Sequence, residues 1–205
     1  MTTKERIVEE ALTLFSVKGF KGTSVKNIAD AVGIKDSSLY KHFKSKQEIF
    51  DTIVARVGEK IQEMSTDMGI PSENNFEAVI AYYGELSEKE LQELSKKIFL
   101  FYLEDDFISR FWRMANIEQY QNKEIYEVFR TMFLENSITY QSRLFEEMIK
   151  KGFFVAVSPE VMAINFYAPI FFLLSKYNGR KEEREEALVL LERQVAEFYR
   201  IYRKK

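Results

Sequence analysis

Hydrophobic residues recur along the chain at intervals of three and four, with no stretch of strict alternation, and that spacing predicts helices from one end to the other. Thr2-Thr3-Lys4-Glu5 reads as a capping box that opens a helix whose Ile7, Ala11, Leu14 and Phe15 share a face, with Gly19 as its stop. Thr23-Ser24 offers a second cap before Val25, Ile28, Ala29 and Val32, and Gly33 ends that short helix. Residues 36–43 predict a third short helix that turns Leu39 and Phe43 inward. From about Lys46 a longer helix runs through Ile49, Phe50, Ile53, Val57, Ile61 and Met64, with Gly58 as a mild weak point. Residues 68–75, with Gly69, Pro71 and two adjacent Asn, form the clearest loop.

Helical spacing continues beyond that loop. Ser87-Glu88-Lys89-Glu90 is another capping box, and Asp105-Asp106 can start a further helix. Residues 122–151 read as one long amphipathic stretch closed by Gly152. Ser158-Pro159-Glu160 supplies a cap and an N1 proline for the next helix, which Asn178-Gly179 breaks. The last helix is expected over about 181–202, with Ala187, Leu188, Leu191, Val195, Phe198 and Tyr202 as its stripe. Residues 161–174 carry no charge, a run shorter than the ~20 apolar residues of a membrane span, and Pro169 within it should kink the helix. A helix apolar on every side is expected to be buried on every side. Aromatic residues crowd the middle of the chain, and such density either fills a core or lines an apolar pocket.

Composition narrows the chemistry. The 205 residues include no cysteine, which excludes disulfides, thiolate metal sites and cysteine nucleophiles, and His42 is the single histidine. Histidine-based catalysis therefore has one possible base, and a di-iron site with a histidine on each of two helices cannot be built. No secretory leader is recognisable, and the cytoplasm is the default expectation. The net charge of −2 is unevenly spread: residues 1–50 hold nine Lys/Arg against six Asp/Glu, and residues 18–46 hold seven against two. A basic head on an acidic body is the distribution expected when one end meets phosphate.

Residues 25–43 have the spacing of a helix-turn-helix. Ala29 is small where a second helix must cross closely, Gly33 follows four residues later where the turn favours positive φ, and Ile28, Val32, Ile34 and Leu39 fill the core beneath. Any small helical bundle could show such spacings. What weights the reading toward DNA is the company they keep: Lys35, Ser37, Ser38, Tyr40, Lys41 and His42, followed by Lys44, Ser45 and Lys46, are groups that reach phosphates and base edges.

The run from Gly19 to Ile34, continuing through Ser38-Leu39-Tyr40-Lys41-His42-Phe43-Lys44-Ser45-Lys46 to Glu48-Ile49-Phe50, resembles the DNA-binding domain of TetR-family transcriptional regulators. The resemblance covers about the first quarter of the chain; the rest is similar only in length and helical character. It implies an all-α protein, with a three-helix helix-turn-helix domain at residues 1–47 and a helical bundle at 48–205 for ligand binding and dimerisation, joined by a long helix. By its pattern Ser24, Lys26, Tyr40, His42 and Lys46 contact the DNA backbone, while Ser37, Ser38 and Lys41 lie near base edges. Lys35 and Asp36 depart from the family's usual start of the recognition helix, so Lys35 is a candidate contact of this protein's own.

The same resemblance implies a double-stranded operator, a homodimer formed through about 159–178 and 181–202, and a small, hydrophobic effector, with no cofactor, metal or membrane. The uncharged run and the stripe of the last helix are expected to form half of a four-helix dimer interface, the alternative being an intramolecular core. Phe101, Phe107, Phe111, Trp112, Tyr126 and Phe129 are the candidate pocket residues. One rival is an enzyme using Glu104, Asp105 and Asp106, although adjacent carboxylates at a helix start are more simply a cap with favourable dipole charges. Another is a ligand carrier without DNA binding, which the basic head argues against.

Overall fold

The computed structural model describes residues 1–204, and among them the chain is helical almost throughout. The helices are α1 (Thr3–Lys18), α2 (Val25–Val32), α3 (Asp36–Leu39), α4 (Lys46–Asp67), α5 (Phe76–Glu85), α6 (Glu88–Glu104), α7 (Asp106–Glu118), α8 (Lys123–Arg130), α9 (Asn136–Lys150), α10 (Pro159–Tyr177) and α11 (Arg184–Tyr202). They form two compact units. One holds residues Met1–Gln62 and Asp106–Arg130; the other holds Glu63–Asp105 and the chain from Thr131 on.

The first unit is built on the predicted apolar stripes. Ile7, Val8, Ala11, Leu12 and Phe15 of α1, Ile28, Ala29 and Val32 of α2, Leu39, Phe43, and Ile49, Phe50, Ile53 and Val57 of α4 are all buried. Thr2 and Glu5 form the expected capping box, and Ser24 makes another with Asn27. Gly33 adopts φ +77°, the left-handed conformation that ends α2. The Arg6 guanidinium donates to Val32 O at 2.6 Å, occupying one of the carbonyls that the end of α2 leaves free. The α-helical part of α3 closes at Leu39, and turn hydrogen bonds such as His42 N to Leu39 O, 2.8 Å, carry the chain on to Phe43. On the other side of α1 lies α7, whose Phe107, Ile108, Phe111, Trp112, Met114 and Ala115 are buried.

The second unit packs α5, α9, α10 and α11 around Val79, Ile80, Leu144, Phe145, Met148, Phe154, Met162 and Phe198, and α6 lies against α10 and α11. Two stretches differ from expectation. Residues 122–151 are not one α-helix: a π-helical turn over Thr131–Glu135 separates α8 from α9. The wider winding leaves carbonyls to be satisfied from outside, and the Tyr167 hydroxyl donates to Phe133 O at 2.5 Å. Conversely, Pro169 lies inside α10 without ending it. Proline removes the donor that Asn165 O would have met one turn on, and the Gln194 side-chain amide of α11 donates to that carbonyl at 3.2 Å.

The stripe of α11 also faces inward, since Ala187, Leu188, Leu191, Val195 and Phe198 are buried inside the unit. The outer face is apolar as well. Val161, Ile164 and Phe172 of α10 and Val189, Leu190 and Ile201 of α11 are exposed, Phe172 to 62%. The uncharged run is therefore not buried on every side. No helix among the described residues is long and apolar enough to cross a membrane.

Candidate nucleic-acid interface

The core under α2 and α3 leaves a polar outer face. Ser24, Lys26, Lys35, Ser37, Lys41 and His42 are exposed, Ser38 is half-buried, and Tyr40 is 53% exposed. Helical geometry accounts for that division. Leu39 and Phe43 are one turn apart and face the core, which turns their polar neighbours outward. Ser24 has a local task too: its Oγ accepts from Asn27 N at 3.1 Å and donates to Asn27 Oδ1 at 2.8 Å, fixing the start of α2. Ser45 likewise accepts from Glu48 N at 3.1 Å at the start of α4. Lys46 sits differently from the other lysines. Its Nζ donates to Phe20 O at 2.6 Å and to Thr23 O at 2.7 Å, and lies over the Phe20 ring at 4.3 Å.

Five of the six candidate pocket residues belong to the first unit, and Phe101 belongs to the second. Trp112 and Phe129 meet edge to face at 5.0 Å, and Tyr126 stacks on Phe129 at 6.1 Å, so these three come together. Phe107 is buried beneath the Arg56 guanidinium at 4.8 Å from its ring centre, and Phe111 is buried on α7. Phe101 instead packs against Tyr102, at 5.3 Å between ring centres.

Residues 7–53 match the family described as bacterial regulatory proteins, tetR family. The head of the chain is therefore a TetR-family DNA-binding domain. Among curated relatives it is 49% identical over 51 residues to the biofilm operon icaADBC HTH-type negative transcriptional regulator IcaR of Staphylococcus aureus, covering 25% of this chain and 27% of that protein. The chain thus matches only about a quarter of that relative's length. The fold match extends much further. A crystal structure of MexZ, a key repressor responsible for antibiotic resistance in Pseudomonas aeruginosa, superposes with a TM-score of 0.71 at 16% identity, covering 97% of this chain and 93% of that one. A complex of SmeT with triclosan superposes at 0.67 with 18% identity, covering 100% and 93%.

Beside this TetR-family head lies one buried group that the sequence pattern did not single out. Glu118, on the last turn of α7, is 0% exposed. Its Oε1 accepts from Phe20 N at 2.7 Å and from Lys21 N at 3.4 Å, in the turn between α1 and α2. Lys46 holds the carbonyls of the same turn. Burial holds the Lys46 ammonium pKa below the usual lysine value, and the negative charge of Glu118 acts in the opposite direction. A sequence signal was present. Phe107, Phe111, Met114 and Glu118 follow the four-three-four rhythm of a single apolar stripe, and a carboxylate in such a stripe needs a buried partner.

Proposed function

We propose that this chain is a transcriptional repressor that reads a double-stranded DNA operator as a homodimer and releases it in response to a small, hydrophobic effector. The observation that carries this reading is the exposed face of α2 and α3, where lysines, hydroxyls, a phenol and an imidazole stand on a fully packed small core. Residues 1–47 read DNA and residues 48–205 sense and dimerise, in the cytoplasm. Ser24, Lys26, Tyr40 and His42 reach phosphates, while Lys35, Ser37, Ser38 and Lys41 lie at base edges. Lys46 is assigned to holding the α1–α2 turn, because its ammonium is already committed to two carbonyls. Repression is favoured by the naming of IcaR as a negative regulator and of MexZ as a repressor.

The dimer is placed on α10 and α11, over about 159–178 and 181–202. Its supporting feature is the exposed apolar face of Val161, Ile164, Phe172, Val189 and Leu190. Two copies would present their α3 segments to successive major grooves ~34–36 Å apart on a palindrome. An effector site among Phe107, Phe111, Trp112, Tyr126 and Phe129 is supported by the meeting of Trp112, Tyr126 and Phe129 and by the SmeT–triclosan complex as a precedent for an aromatic ligand; Phe101, in the other unit, is left out of it. The enzymatic rival has little to work with. Glu104 pairs with Arg184 at 2.8 Å and Asp106 with Arg110 at 2.8 Å, and no group of three or more His, Asp or Glu among the described residues could hold a metal.

Fluorescence polarisation with a pooled random duplex at two salt concentrations tests the reading. The expected result is a selected sequence and a steep salt slope; binding that is absent, or equal for every sequence, contradicts it. On the selected duplex, Lys41→Ala combined with Tyr40→Phe should weaken the gel shift, and Lys26→Ala, which removes one phosphate contact from each of the two copies, should reduce the salt slope by about 1.8. Unchanged affinity in the double variant would remove α3 from the interface.

A further inference from the structure

We propose that Glu118 is a positioning residue for DNA reading: with Lys46 it clamps the turn from which α2 starts, so that α7 sets the placement of α2 and α3. The proposal rests on the DNA-reading function given above and names the contact through which that function is controlled.

The clamp acts on backbone from both sides. Glu118 takes the Phe20 and Lys21 amides, and Lys46 takes the Phe20 and Thr23 carbonyls. Gly19 makes room for it. A Cβ at Gly19 would collide with Glu118 Oε1, and the glycine's φ of +76° lies where side chains are disfavoured. The turn is tied down internally as well, since Thr23 Oγ1 donates to Gly19 O at 2.9 Å.

Further back, α7 grips α1 through Arg110. Its guanidinium reaches Glu9 O at 3.0 Å, Glu9 Oε2 at 2.7 Å and Thr13 Oγ1 at 2.8 Å, and Arg56 of α4 takes Glu9 Oε1 at 3.0 Å. Thus α1 and α7 run in the same sense and are fastened at Glu9 and again at Phe20. A displacement of α7 is passed to the turn through the second fastening. All five first-unit aromatics assigned to the effector site, Phe107, Phe111, Trp112, Tyr126 and Phe129, lie on α7 or on the helix that follows it.

Stability alone does not explain a carboxylate in this position. Burying a charge is costly, and a well-packed apolar residue of similar volume commonly holds a fold at least as well. What the apolar residue lacks is a directional hold on the Phe20 and Lys21 amides. Glu118 Oε2 has no hydrogen-bond partner, so Oε1 carries that hold.

The test uses the full chain, the duplex selected by the wild type, amide hydrogen exchange at Phe20 and Lys21, and thermal denaturation. Glu118→Met should stay folded, lose protection at both amides at least tenfold, and bind the duplex about tenfold more weakly. Glu118→Gln, whose Oε1 can still accept, should remain within about threefold of wild type in both. Wild-type affinity in folded Glu118→Met overturns the proposal, and so does a loss in Glu118→Gln equal to that in Glu118→Met. Should Glu118→Met unfold, Lys46→Met tests the clamp from its other side. Weaker binding with an unchanged salt slope and lost Phe20 protection supports positioning. A slope lower by about 1.8, one contact from each copy, makes Lys46 a phosphate contact and overturns its part in the clamp, as does affinity and protection equal to wild type. A wild-type chain that selects no duplex overturns the DNA reading itself, a result distinct from any change in turn exchange.

Discussion

Gly33 and Gly19 separate two reasons for a glycine. Around Gly33 an added Cβ would meet nothing within 4 Å, so the backbone alone speaks for glycine there, at φ +77°. Gly33→Ala should therefore cost ~1–2 kcal/mol, the left-handed penalty of an ordinary side chain, and Gly33→Asn should recover part of it in urea titration. An equal loss for both would show that something besides φ is at stake. At Gly19 the backbone cost is joined by collision with Glu118, and Gly19→Ala should lose more than Gly33→Ala. Sequence spacing identifies both glycines as helix ends. It does not reveal the second role of Gly19, because Glu118 lies 98 residues from the amide it binds. Lys46 is obscured for a similar reason. A lysine beside Lys44 and Ser45 reads as part of a solvated basic face until its partners, the Phe20 and Thr23 carbonyls, are placed.

Among the elements, those whose signals are local were legible. The capping boxes at Thr2 and Ser87, the cap at Ser24 and the loop ahead of α5 come directly from neighbouring residues. The π-helical turn and the survival of α10 through Pro169 depend instead on Tyr167 and Gln194, which reach carbonyls on other turns and other helices. For α11 the periodicity identifies the buried stripe, but its expected place in a four-helix dimer interface is corrected: Ala187, Leu188, Leu191, Val195 and Phe198 are already buried within one chain. The stripe belongs to the core of the unit, and the outer residues are the face proposed for a second copy. Leu191→Asp should accordingly lower stability by several kcal/mol, in the upper part of the ~2–5 kcal/mol range known for truncating buried leucine, as read by chemical denaturation. Phe172→Glu with Leu190→Glu should leave the fold intact and give monomers in light scattering. Dimers that persist in this pair would move the interface away from α10 and α11.

At the scale of the molecule, buried phenols link stability to alkaline pH. Desolvation raises the pKa of Tyr83, Tyr102 and Tyr167, and with the charge of Glu73 it pushes Tyr140 up to about 12. Each group is raised in the folded state, so its contribution is fully present below the ordinary tyrosine value of about 10 and is lost as pH rises through the folded value. Circular dichroism should show stability falling between about pH 10 and 12 at constant salt, with phenolate absorbance lagging behind that of free tyrosine. Phenolate absorbance that follows free tyrosine would contradict this.

The clamp also bears on how portable the head is. It holds the α1–α2 turn by main-chain groups, so the residues that face DNA can be exchanged without disturbing it. A chimaera that takes its reading surface from another regulator should keep coupling to this body if Gly19, Lys46 and Glu118 travel as a set. A graft that joins the same surface to this body but replaces Lys46 or Gly19 should fold, bind its operator more weakly and cease to answer to the body.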